Sequence, residues 1–179
     1  MSIFATGLPG PTGVAFDSAG NLYAANEANN TIAKITPGGV VSIFASGLNG
    51  PNGLAFDRAG NLFVTNTGSS NIVKFTLDGT GSVFANFGLA GSGLAFDNVG
   101  NLYVPGVVNN MVTIEKFTPG GVGSVFAPPG IGLNGPRWLA LTDDAGVPLK
   151  LPNQAPEPAS ALLLLGSATG LLALRRRRG

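Results

Sequence analysis

One eleven-residue stretch recurs three times at an interval of 40 residues, and that interval constrains the fold more than any other feature. Residues 13–23 read GVAFDSAGNLY, residues 53–63 read GLAFDRAGNLF, and residues 93–103 read GLAFDNVGNLY. A fixed period in this range marks a repeat architecture, in which each unit is one supersecondary element that buries its apolar face only against its neighbours.

Each copy reads as two short strands and a turn. Val14 and Phe16, like Leu54 and Phe56, alternate with small alanines, the period-two pattern of a strand. Asp-x-x-Gly-Asn follows. The Asp side chain accepts backbone N–H groups two residues on, and Gly takes a positive φ. Extended residues resume at Leu22, Leu62 and Leu102. A third strand is expected at 31–35, 71–75 and 112–117, and a fourth at 41–45, 82–85 and 124–127. Pro37-Gly38-Gly39, Asp78-Gly79 and Pro119-Gly120-Gly121 supply the turns between them. Four short antiparallel strands per unit of roughly 40 residues is the blade of a β-propeller. The expected fold is therefore all-β: a partial β-propeller of three four-stranded blades plus a partial fourth over residues 1–146. A linker at 147–155 and a short C-terminal transmembrane helix follow. Phe16, Phe56 and Phe96 hold one place in each copy and are expected to lie buried between successive blades.

Composition removes several chemistries. The chain has no Cys and no His, so it offers no thiol nucleophile, no disulfide, and neither the commonest general base nor the commonest transition-metal ligand. Its net charge of +1 conceals an asymmetry, since four of the ten basic residues are Arg175, Arg176, Arg177 and Arg178. Residues 1–158 hold six basic against nine acidic residues. That mildly acidic body argues against nucleic-acid binding, which needs a basic face.

The repeat register departs from the pattern in places. Residues 2–8 match 42–48, the outer strand of a blade, so the chain starts in mid-repeat. Pro105 in the third unit is expected to end its strand early or to sit at an edge, because it has no N–H for a ladder. Residues 135–141 align with 50–56, and beyond Asp144 the repeat fades. Three blades and part of a fourth make an open arc, an arc completed by another copy, or a piece of a longer ring. The mid-repeat start and the lack of a leading signal peptide favour an N-terminally truncated member.

Residues 159–174 carry no charge and abut the Arg cluster. As a helix they span ~24 Å, short of the ~30 Å hydrocarbon core, a mismatch that snorkelling arginines and local thinning can cover. The Arg cluster should stay cytoplasmic and place the repeats outside. With Pro156-Glu157-Pro158 ahead of it, this tail resembles the PEP-CTERM sorting signal of Gram-negative bacteria. The resemblance implies export, inner-membrane anchoring, processing by an exosortase near Pro156, Glu157 and Pro158, and delivery to the cell surface or extracellular exopolysaccharide matrix.

The repeats resemble the NHL propeller family. Gly50-Pro51-Asn52-Gly53-Leu54-Ala55-Phe56-Asp57, Gly60-Asn61-Leu62-Phe63-Val64 and Asn71-Ile72-Val73-Lys74-Phe75 carry that likeness. Propellers host both enzymes and binding modules. Streptogramin-lyase-like propellers share this repeat style, but their chemistry relies on His. Those of the gluconolactonase type hold a divalent metal with Asn, Asp and Glu near the ring mouth. Asn26, its neighbour Glu27, and Asn66 are the matching positions here, and hard oxygen ligands suit calcium. Gly106 takes the third place, so loop hydrogen bonding is the stronger expectation for this set.

Asp17, Asp57 and Asp97 are expected to cap their turns and to lie apart around the ring. Lys34, Lys74 and Lys116 recur in the third strand and are expected to form a solvated column that discourages edge pairing. Trp138 is expected either to cover the end of the arc or to stack on a ligand. Gly166 and Gly170 fit a small-xxx-small packing motif. The leading expectation is a non-catalytic, exported binding or scaffolding propeller without a cofactor. The alternative is a metal-dependent hydrolase or lactonase whose remaining ligands lie on other blades.

Overall fold

The structure is a computed structural model that describes residues 4–88, 92–128, 138–142 and 171–175. Its first blade is formed by β1 (Pro11–Phe16), β2 (Leu22–Asn26), β3 (Thr31–Ile35) and β4 (Val41–Ala45). The second holds β5 (Pro51–Phe56), β6 (Leu62–Asn66), β7 (Asn71–Phe75) and β8 (Gly81–Asn86). In the third are β9 (Ala95–Phe96), β10 (Leu102–Val108), β11 (Met111–Phe117) and β12 (Gly123–Ala127). Each blade is an antiparallel sheet in chain order. β13 (Trp138–Thr142) pairs in parallel with β14 (Leu171–Arg175). β13 also lies against β9 and β10, as β5 lies against β1 and β2. It therefore takes the inner-strand place of the expected partial fourth blade.

Local chemistry explains why the strands break where they do. In all three Asp turns the carboxylate Oδ1 accepts two backbone N–H groups and Oδ2 accepts the Asn amide. In the second copy these bonds run from Ala59 N (2.9 Å), Asn61 N (2.8 Å) and Asn61 Nδ2 (2.7 Å) to Asp57. Gly60 holds φ +84°, which a β-carbon would strain. The third and fourth strands slip register at one equivalent point in each blade, beyond Ile32, Ile72 and Ile114. Such a bulge sharpens the twist of the outer pair.

Blades stack through a repeated aromatic contact. The Tyr23 ring sits edge-on to Phe44 of its own blade and to Phe56 of the next, both at 5.0 Å between centroids. Phe63 does the same with Phe84 and Phe96, both at 4.9 Å. Such pairs add to the area they bury. Around them Leu54, Leu62, Val64 and Phe75 pack on Ile32 and Leu48, and the next interface repeats the arrangement. The inner strands approach so closely that a β-carbon at Gly13 or Gly53 would overlap the carbonyl oxygen of Asn52 or Ser92. The glycine that opens the first and second repeats is thus required by the packing of one blade on the next.

Four expectations need correction. Phe56 and Phe96 are buried, at 7% and 9% exposure, but Phe16 is 37% exposed. Among the described residues no blade precedes the first one, so its ring lacks the tyrosine or phenylalanine edge that covers the other two. Of the outer strand expected from residue 2 onward, the described residues 4–8 take no part in a ladder. Ala5 and Leu8 nevertheless pack on Ala24, Ala33 and Ile35, and the Phe4 carbonyl sits over Gly39 as that of Phe84 sits over Gly121. The segment keeps an outer strand's place while its hydrogen-bonding neighbour is absent from the described residues.

Pro105 neither ends its strand nor lies on the outer edge: β10 continues to Val108. β9 pairs with β10 only at Leu102 and Tyr103, so no ladder on that side asks Pro105 for an N–H. Finally, the lysine column guards no edge. Lys34, Lys74 and Lys116 lie in β3, β7 and β11, each paired on both sides, while β4, β8 and β12 form the outer edges. Their ammonium groups stand over aromatic rings.

The linker, Pro156-Glu157-Pro158, Gly166, Gly170 and residues 159–170 of the expected helix lie outside the described residues, as do Arg176, Arg177 and Arg178. Residues 171–174, its last four positions, belong with Arg175 to β14. Among the described residues no helix is long and apolar enough to cross a membrane.

Candidate ligand-binding site

The strand register sorts the polar residues into two ends. Leu22 pairs with both Phe16 and Ile35, so the Asp turn and the Pro-Gly-Gly turn share one end of a blade. Asn26 pairs with Pro11 and Thr31 at the other end, where a 3-10 turn and the link between blades meet.

At that second end Asn26 and Asn66 close β2 and β6, both buried, with Glu27 exposed on the following turn. Asn66 Oδ1 accepts the N–H of Asn49 at 2.7 Å and so ties the second blade to the link that enters it. Asn26 is 1% exposed, and its Oδ1 has no partner. The cause is visible in the repeat: Pro9 stands where Asn49 stands in the next copy and has no N–H to give. Gly106, the third equivalent, lies in mid-strand opposite Thr113. There Glu115 does the anchoring instead, accepting the Gly88 N–H at 2.7 Å. Among the described residues no three acidic, His or Cys side chains could hold a metal. The Asn66 oxygen is engaged in holding the link, so loop hydrogen bonding accounts for that side chain.

The turn end carries a more coherent arrangement. An Asp, an aromatic six residues on, and a Lys further along recur as Asp17, Tyr23 and Lys34, then Asp57, Phe63 and Lys74, then Asp97, Tyr103 and Lys116. The Lys ammonium stands 5.5 Å over the ring in the first two blades and 5.8 Å in the third. In the third blade the Tyr103 hydroxyl donates to Asp97 Oδ2 at 3.2 Å. Burial pushes the Asp97 carboxyl up, but bonds from Asn101, Val99 and Tyr103 outweigh it and hold the group below its ordinary value. In the first blade burial raises the Tyr23 phenol, and a bond to Lys34 opposes it. The middle blade has Phe63 and no hydroxyl.

Between the second and third blades this end opens into a groove of about 280 Å³. Phe63, Phe84 and Phe96 form its apolar wall, and Asp57, Asp97, Arg58 and Lys74 supply two negative and two positive charges. The expected dispersal of the aspartates is therefore incomplete, because two of them border one cavity, each still committed to its turn. Trp138 opens β13. The groove escaped the sequence reading, although the Asp–aromatic–Lys spacing, with its single Tyr-to-Phe exchange, was there to point to it.

The fold and its interlocked blades define a β-propeller. No protein-family model matches the chain, and no curated protein matches it. Solved propellers are similar to it. A chain of a nidogen/laminin complex aligns at 23% identity and TM-score 0.66, over 75% of this chain and 53% of that one. Virginiamycin B lyase from Staphylococcus aureus, as a catalytically inactive histidine-to-alanine variant with quinupristin, aligns at 20% identity and TM-score 0.58, over 68% and 42%. A gluconolactonase from Xanthomonas campestris aligns at 14% and 0.61, over 70% and 48%. The chain spans about half the length of these neighbours, which include enzymes as well as a member of a binding complex, so the shared fold assigns neither role.

Proposed function

We propose that this chain is an NHL-type propeller segment acting as a non-catalytic binding module outside the cell, carried there by a PEP-CTERM signal at 156–179. One observation carries the binding reading. The polar side chains that recur at both ends of the blades hold the scaffold: Asp57 its turn, Asn66 and Glu115 the links between blades. Among the described residues, loop surface and the groove between the second and third blades face outward. The virginiamycin B lyase variant is described as inactive once a histidine is replaced, and this chain has no histidine. The sorting reading is supported by the sequence of the tail: Pro156-Glu157-Pro158, whose prolines disfavour helix, then an uncharged stretch and four arginines that resist crossing the bilayer.

Expression behind a signal peptide, in hosts with and without an exosortase, tests it. The expected outcome is loss of the tail only where the exosortase is present, and its retention in Glu157→Ala. Processing in both hosts or in neither overturns the sorting reading. The alternative, a metal-dependent lactonase, replaces the binding reading if calcium-dependent lactone turnover is measured and Asn66→Ala abolishes it.

A further inference from the structure

We propose that the groove between the second and third blades binds a neutral saccharide, whose hydroxyl takes the place of the tyrosine hydroxyl that the second blade lacks. This deepens the binding reading above and rests on it. The argument starts from the repeat. In the third blade Asp97 Oδ2 accepts two donors, Asn101 Nδ2 at 2.8 Å and the Tyr103 hydroxyl at 3.2 Å, with Lys116 over the same ring. In the second blade Asp57 Oδ2 accepts Asn61 Nδ2, and the ring beside it is Phe63. Lys74 stands 5.5 Å over that ring, with no phenol oxygen to donate to. The exchange leaves a carboxylate acceptor and an ammonium donor on either side of the place where a hydroxyl belongs, and both border the groove.

A sugar hydroxyl satisfies both groups, since it donates one hydrogen bond and accepts another. Asp57 and Asp97 balance Arg58 and Lys74 around the groove, so it carries no net charge to select an anion and suits a neutral ligand. An apolar ligand would leave the charged pair unanswered. The Phe84 ring on the groove wall suits the C–H face of a pyranose, and the volume, just below the range of small-molecule pockets, suits one or two sugar rings at the end of a chain.

The test is titration of the purified full-length chain in detergent with cellotetraose and chitotetraose, read by calorimetry. At least one is expected to bind. Phe63→Tyr rebuilds the third-blade arrangement and should weaken that binding at least about tenfold, the scale of one hydrogen bond to a charged group. It should leave the thermal midpoint unchanged or raised, which separates loss of the site from loss of the fold. Lys74→Met should weaken binding similarly, and Lys116→Met should not. The proposal is overturned if neither sugar binds at millimolar concentration, if Phe63→Tyr binds as the parent does, or if inorganic phosphate displaces the sugar. Export plays no part in this experiment, so its failure leaves the sorting reading standing.

Discussion

At the scale of single residues, the repeat provides its own controls, because the same side chain meets different neighbours in different copies. Phe56 is wedged against Tyr23, and Phe16 has no ring before it among the described residues. Phe56→Ala should therefore cost about 3–5 kcal/mol. Phe16→Ala should cost well under half of that, as measured by urea denaturation of each variant. The asparagines form a second pair. Asn66→Ala removes the acceptor of the Asn49 N–H and should cost about 1–3 kcal/mol. Asn26→Ala removes an oxygen that has no partner and should cost less. Equal losses in the two variants would contradict the role given to Pro9.

At the scale of elements, two devices hold the blades: the carboxylate turn and the glycine that lets inner strands touch. The Asp97 carboxyl is held below its ordinary value, so the folded state favours its charged form. The sign follows from linkage. The stability it contributes is complete above the unfolded carboxylate value of about 4 and is lost as pH falls toward the depressed folded value. Thermal melts between pH 7 and pH 3 should show this loss, and Asp97→Asn should flatten it while lowering stability at neutral pH. Gly53 meets the second demand. A methyl group there would overlap the Ser92 carbonyl oxygen, and backbone yields less readily than a side chain. Gly53→Ala should destabilise the chain by more than the Phe16 truncation does, and a neutral result in the same denaturation assay would refute the close approach.

At the scale of the whole molecule, each blade is stabilised by its neighbours, as in any stacked array. The second blade is packed on both sides, through the Tyr23–Phe56 contact on one and the Phe63–Phe96 contact on the other. Among the described residues, Ala5 and Leu8 cover the first blade on its leading side. Hydrogen exchange should accordingly protect the amides of β6 and β7 most and those of β1 least. Uniform protection across the three blades would mean that the leading face is covered in solution.

The amino-acid sequence determined the architecture on its own. The 40-residue period, the Asp-x-x-Gly-Asn turns and the Pro-Gly-Gly turns were enough to place β3, β4 and β7 at their observed bounds, because turn chemistry is local and each turn carries its own acceptors and its own positive-φ glycine. The roles that depend on residues far apart in the chain were decided only by the tertiary structure. Lys74 looked like a guard of a strand edge until β8 was seen to form that edge, leaving the lysine over Phe63. Asp57 and Asp97, 40 residues apart, looked remote until the blades stacked and put both on one groove. Gly53 was legible only as the first residue of its repeat, and the stacked blades show that its absent side chain admits the Ser92 carbonyl of the next blade. Periodicity reports what each unit is. Which atoms of one unit meet the next is set by blade twist and separation, which the chain acquires only when its apolar faces pack.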